Sequence, residues 1–186
     1  MKILERAKDL AKHYHQESFL IQVISLEKKI ETLHITRSGE GAADKLTEEA
    51  NDVNRQRNEI TTLSNLALQL YQWYVKHGHA RNIKDEKGVR EFFKQNLQID
   101  TTNLTGFYQM LYLYQSYCWY AFIRQDFLMY YRYSKKWVDL FNQEPLMITV
   151  ETGHYIKGLH NLLTANFDLR NFRKFDKYIA RFERFT

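Results

Sequence analysis

Residues 117–130 read YCWYAFIRQDFLMY and residues 162–175 read LLTANFDLRNFRKF. Shifting the first stretch by 45 lays Phe122 on Phe167, Asp126 on Asn171, Phe127 on Phe172 and Tyr130 on Phe175. Further along, Tyr133 falls on Tyr178 and Trp137 on Phe182. A period between about 20 and 50 residues marks a stacked-repeat architecture. Each unit of such a chain buries its apolar face only against its neighbours. The spacing therefore predicts an all-α chain of antiparallel helical hairpins stacked as an α-solenoid, a shape suited to holding partners. The first hairpin pairs 105–123 with 126–141 and ends at the loop around Pro145. The second pairs 149–168 with 171–185. Asp126 and Asn171 share one repeat position, and each is a predicted N-cap.

Upstream the pattern is helical without an evident repeat. Ile3, Ala7, Leu10 and Tyr14 form a 4-3-4 stripe, which predicts a first helix over 2–15 with that face buried. Phe19, Val23, Leu26, Ile30 and Leu33 predict a second helix over 17–37, widened by Leu20 and Ile24. The break falls at 38–41. A long third helix is predicted over 42–76, and its polar stretch Glu48–Glu59 is expected to project past its neighbours or fold as a hairpin. Gly78 suits the left-handed cap at its end. A weaker helix is expected over 85–98, followed by a loop at 100–103. The expected organisation is one helical-repeat domain over 1–186. It comprises long irregular helices (1–104), a repeat hairpin (105–148) and a second repeat hairpin (149–186).

Composition agrees with long helices. Of 186 residues one is proline and seven are glycine, while 13 tyrosines and 12 phenylalanines can fill the space between helices. The single cysteine, Cys118, rules out a disulfide within the chain and fits a reducing compartment. The amino-terminal stretch is amphipathic and charged rather than an apolar leader. No run of about 18 apolar residues is present to span a membrane. A cytoplasmic protein is expected. The net charge of +5 is concentrated after Leu169, where Arg170, Arg173, Lys174, Lys177, Arg181 and Arg184 face only Asp176 and Glu183.

The turns at 125–127 (QDF) and 170–172 (RNF) resemble the tetratricopeptide repeat, which has a bulky ring before a Gly-Asp-Tyr-like turn. Gln125 and Arg170 replace the turn glycine. The small residue of the family's first helix is Cys118 in one copy and Leu163 in the other. The small residue of its second helix is replaced by Tyr130 and Phe175. The period also exceeds the family's 34 residues. The chain thus resembles a divergent tetratricopeptide-like solenoid, similar in layout to uncharacterised tetratricopeptide-like proteins of Bacteroidetes. The likeness is specific over about 105–185. Terminal repeats normally carry a polar outer face. The apolar end around Phe182 and Phe185 is therefore expected to be covered by a further repeat of a longer protein or by a second chain.

The sequence offers no catalytic or metal-binding pattern. His13 and His15, like His77 and His79, are two apart and point to different faces of a helix. His154 and His160 are six apart. There is no HExxH, CxxC, GxSxG, Walker or dinucleotide fingerprint. No enzyme activity, cofactor or metal is expected.

By the resemblance, the first helix of each hairpin lines a concave face that binds protein or peptide. The turn-based alignment places Tyr112, Gln115, Ser116 and Trp119 on that face in one repeat, and Lys157, His160, Asn161 and Thr164 in the next. For Tyr112 and Trp119 a place in the core is the competing reading. The alternative function is binding of nucleic acid or an acidic surface by Arg170, Arg173, Lys174, Lys177, Arg181 and Arg184. Against it, Phe172, Phe175, Ile179, Phe182 and Phe185 recur at the spacing of a core face.

Overall fold

The computed structural model describes residues 2–33 and 41–184. These residues form nine helices and no strand. They are α1 (Lys2–His13), α2 (Glu17–Leu33), α3 (Ala42–His77), α4 (Ile83–Asn96), α5 (Phe107–Ile123), α6 (Phe127–Gln143), α7 (Leu146–Val150), α8 (Thr152–Asp168) and α9 (Phe172–Phe182). The predicted break at 38–40, the end of the second helix at Arg37, and Phe185 lie outside the described residues. Where one domain is expected from sequence, the chain divides into two compact units, Met1–Thr61 and Thr62–Thr186, with the boundary inside α3.

In the first unit α1 and α2 form a hairpin, and the amino-terminal part of α3 packs on it. Ala11, Leu20, Ile24, Ala50 and Val53 make the core. The start of the stretch Glu48–Glu59 therefore does not project, because Ala50 and Val53 fix it to α1 and α2, while Asn54, Arg55, Arg57 and Asn58 are exposed. Ion pairs reinforce the packing. Lys8 bridges Glu27, at 2.8 Å, and Glu49, which also pairs with Lys12 at 2.8 Å. The predicted inward stripes need correction. Ile3 and Leu10 of α1 and Tyr14 just after it are exposed, as are Phe19, Leu26, Ile30 and Leu33 of α2, whereas Ala11, Leu20, Val23 and Ile24 are buried. A wide apolar arc has two edges, and only one edge of each helix meets its neighbours here.

In the second unit α6 packs against both α5 and α8, and α8 against α9. The main core contains Phe107, Leu111, Cys118, Ala121, Trp137, Phe141, Tyr155, Leu159 and Leu162. A second cluster joins α3 and α4 to α5 through Leu66, Leu70, Val89, Phe93, Tyr120 and Ile123. Arg124 pairs with Glu86 at 2.8 Å and fastens the end of α5 to α4. The loop expected around Pro145 is short and leads into α7, whose Met147 is buried. At α9 the expected core face is only half formed. Phe175, Ile179 and Phe182 are half-buried, and Phe172 is exposed.

The helix boundaries obey the 45-residue shift. α5 starts at 107 and α8 at 152, and α6 starts at 127 and α9 at 172. Both turns are built alike, with Gln125 (φ 56°) and Arg170 (φ 54°) in the left-handed region. In each, the next amide donates back to the carbonyl five residues earlier. Asp126 bonds Ala121 at 2.9 Å, and Asn171 bonds Asn166 at 2.8 Å. This closes the end of the first helix as a Schellman-type cap. The same turn joins α1 to α2, where His15 has φ 51° and Gln16 donates to Ala11 at 2.7 Å. Sequence reading misses this third copy because Leu20 stands where the later hairpins carry the rings of Tyr130 and Phe175. Of the two predicted caps, Asp126 accepts from the Met129 amide at 3.0 Å, but the Asn171 side chain makes no cap bond.

Candidate functional site

Three helices of the second unit converge on a groove of about 210 Å³. α5 contributes Tyr112, Gln115 and Trp119, a 3-4 spacing that keeps them on one side of the helix. α8 contributes His154 and Lys157, and α3 contributes Ser64, Ala67, Leu68 and Tyr71. Trp119 is half-buried at the centre. Its ring stands 5.2 Å from Tyr71, 5.8 Å from Tyr74 and 6.0 Å from Phe122. The Lys157 ammonium lies 5.9 Å from the indole centroid, within reach of a cation–π attraction.

One end of the groove is polar and fixed. The edge of His154 meets Tyr112 at 5.9 Å. Glu151 holds His154 Nδ1 at 2.9 Å and accepts from the Tyr108 hydroxyl at 2.7 Å. Burial, aided by the Glu151 charge, pushes the Tyr112 phenol above its ordinary pKa, so it stays protonated at neutral pH and can donate. Beneath Trp119 lies a small cavity of about 30 Å³, lined also by Gln115, Cys118, Trp137, Lys157 and Asn161. Gln115 Oε1 and Trp137 Nε1 are buried there with no hydrogen-bond partner among the described residues. The arrangement can grip aromatic or aliphatic groups on its rings, with one cation and several neutral donors and acceptors beside them.

The structure thus brings Tyr112, Gln115, Trp119 and Lys157 together in one groove, with Asn161 just below. It corrects Ser116, which is fully buried and donates to the Tyr112 carbonyl at 2.8 Å and to the Leu63 carbonyl at 3.3 Å. Its hydroxyl ties α5 to α3 and cannot meet a partner. His160 is exposed but does not line the groove. Thr164 donates back to the His160 carbonyl at 3.1 Å. The α3 wall is absent from the sequence reading. Its signal is the exposed stripe Leu68, Tyr71 and Val75, offset from the buried Leu63, Leu66 and Leu70.

The basic residues are less uniform. Arg170, Arg173, Lys177 and Arg184 are exposed. Lys174 donates to the Tyr131 hydroxyl at 3.1 Å and lies over that ring. Arg181 bonds Asn142 and covers Tyr155. Two of the six cations therefore help to seat α9 on its neighbours. Larger hollows exist elsewhere, of about 480 Å³ beside Trp73 and Phe92 and about 550 Å³ in the first unit beside Lys12 and Glu49. The hollow beside Trp73 also collects rings, Phe92 and His77, and an exposed cation, Lys76, whereas the hollow of the first unit holds no ring. Among the described residues no group of three or more His, Cys, Asp or Glu could hold a metal ion. None of their helices is long and apolar enough to cross a membrane. Comparison with protein-family models, curated proteins and solved structures finds no match to this chain.

Proposed function

We propose that this chain is a scaffold that binds an extended protein segment or peptide along the groove of α3, α5 and α8, within a divergent tetratricopeptide-like solenoid. The observation that carries the reading is Trp119, half-buried between Tyr71 and Lys157 in an open groove. Aromatic anchors in partly desolvated pockets supply most of the energy in such interfaces. The repeated hairpins support the solenoid, because the same turn recurs at His15, Gln125 and Arg170. A lone thiol in the core, and no disulfide to form, favours a cytoplasmic setting. The reading involves no catalysis and no cofactor.

Peptides selected from a random displayed library on the intact chain test it. Binders should lose about tenfold or more in affinity on Lys157→Ala or Tyr71→Ala, which remove exposed groove groups, and keep it when Arg173 and Lys177 become Gln. Binders indifferent to both groove changes would refute the groove.

A second reading, nucleic-acid binding, is favoured by the exposed Arg173 and Lys177 on one side of α9. It requires the reverse ranking. Affinity for a single-stranded oligonucleotide should then fall steeply with salt, because phosphate contacts release counterions.

A further inference from the structure

We propose that the chain associates head to tail with a second copy of itself, the apolar stripe of α1 docking on the outer side of the α8–α9 hairpin. The inference is independent of the groove. It starts from the three equivalent turns at His15, Gln125 and Arg170, which put the first helices α1, α5 and α8 in one register. In that register Ile3 of α1 corresponds to Leu113 of α5 and Gly158 of α8, and Leu10 corresponds to Tyr120 and Ala165. All four downstream residues are buried. Leu113 clusters with Leu63 of α3, and Tyr120 stacks on Phe93 of α4 at 4.3 Å. Gly158 lies against the Trp137 indole of α6. In both later hairpins this arc of the first helix is therefore covered by the helices that precede it. On α1 the same arc is apolar and open, with Ile3 84% and Leu10 50% exposed and Tyr14 beside them.

The complementary surface is on the α8–α9 hairpin of the second unit. α6 is covered by α8, which helps to bury Tyr130 and Ser134. Their equivalents on α9, Phe175 and Ile179, are only half-buried, and no residue of α9 is buried. Phe167 is 59% and Phe172 54% exposed, and with Phe175 they form a ring cluster at 6.2 Å spacings. Such an open ring cluster marks an interaction surface. Among the described residues no first-helix arc lies over α9 as α8 lies over α6, and α1 presents such an arc exposed. Because the two faces differ, the contact is heterologous, and each added copy leaves one face of each kind free.

Two variants of the full chain separate the faces. One carries Ile3→Glu with Leu10→Glu, the other Phe167→Glu with Phe172→Glu. All four positions are exposed, so helical circular dichroism should be retained. The same pairs changed to Ser repeat the test with less perturbation. In sedimentation equilibrium the wild-type mass should climb from the 22.5 kDa monomer past the dimer as concentration rises. Each variant alone should stay monomeric, and an equimolar mixture should stop at the dimer, through the one intact pair of faces. A wild-type chain that stays monomeric would overturn the proposal. So would a dimer that survives in either variant alone, which indicates a contact of like faces, or a mixture that fails to pair.

Discussion

Gln125 and Arg170 hold the same left-handed backbone, φ 56° and 54°, at equivalent turns, and neither is glycine. For a residue with a Cβ this conformation costs about 1–2 kcal/mol. Part of the gain on relieving it is offset by the greater freedom of glycine in the unfolded chain. Gln125→Gly and Arg170→Gly should each therefore stabilise the second unit by about 0.5–1 kcal/mol, and His15→Gly should do the same for the first. Urea unfolding midpoints check this. Lower midpoints in all three would show that the turns are held by side-chain contacts instead.

Gly158 is required for a different reason. A Cβ there would come within 3.0 Å of Cδ1 and Nε1 of Trp137, whose ring is fully buried and cannot retreat. Gly158→Ala gains helix propensity but overpacks the α6–α8 contact, for a net loss of about 1–3 kcal/mol. Thermal unfolding followed by tryptophan fluorescence should show the loss. An unchanged or raised midpoint would mean that α6 and α8 slide apart easily.

Much of this architecture is legible in the sequence where large side chains mark it. Phe122, Tyr130 and Trp137 against Phe167, Phe175 and Phe182 reveal the two later hairpins and place the starts of α6 and α9 to within a residue. The first hairpin uses the same turn but fills it with Ala11 and Leu20, so no ring pattern announces it. Which edge of an apolar arc turns inward depends on the neighbouring helix. Ile3, Leu10, Leu26 and Phe19 therefore look like core and are exposed. The groove is half legible. The alignment finds Tyr112, Gln115, Trp119 and Lys157, but misplaces Ser116 by one position on the α5 surface. It contains nothing about the α3 wall, which depends on a contact between helices far apart in sequence.

The ion pairs of the first unit set its response to pH. Burial works to raise Glu49, but hydrogen bonds from Lys12 and Lys8 outweigh it and hold the carboxyl below its ordinary value of 4.5. Burial works to lower Lys8, but bonds to Glu27 and Glu49 hold the ammonium above 10.5. A depressed carboxylate contributes stability that is present above its unfolded pKa and lost as pH falls through the folded one. A raised ammonium contributes below its unfolded pKa and loses it as pH rises through the folded one. The network should therefore support the first unit between about pH 4.5 and 10.5. Glu49→Gln should lower its melting temperature within that window and flatten the acid-side decline. An acid-side slope identical to wild type would show the pairs to be energetically idle.

Cys118 should be inert while the protein is folded. The thiol is fully buried beside Ser134, and burial pushes its pKa up to about 12 despite the hydrogen bond to that hydroxyl. The thiolate, the reactive form, is then nearly absent at pH 8. A thiol reagent such as Ellman's reagent should label one cysteine in denaturant and essentially none in its absence. Fast labelling of the folded chain would place Cys118 at an accessible site.

The groove is tested most directly by the indole N–H resonances of the three tryptophans, Trp73, Trp119 and Trp137, in a ¹⁵N-labelled chain titrated with a library-selected peptide. Trp119 stands in the groove, Trp137 lies beneath it, and Trp73 lies outside its lining. The account predicts that the Trp119 signal shifts most and Trp73 stays still, with the response lost in Lys157→Ala. A titration in which Trp119 stays still while Trp73 or the amides of α9 move would contradict it.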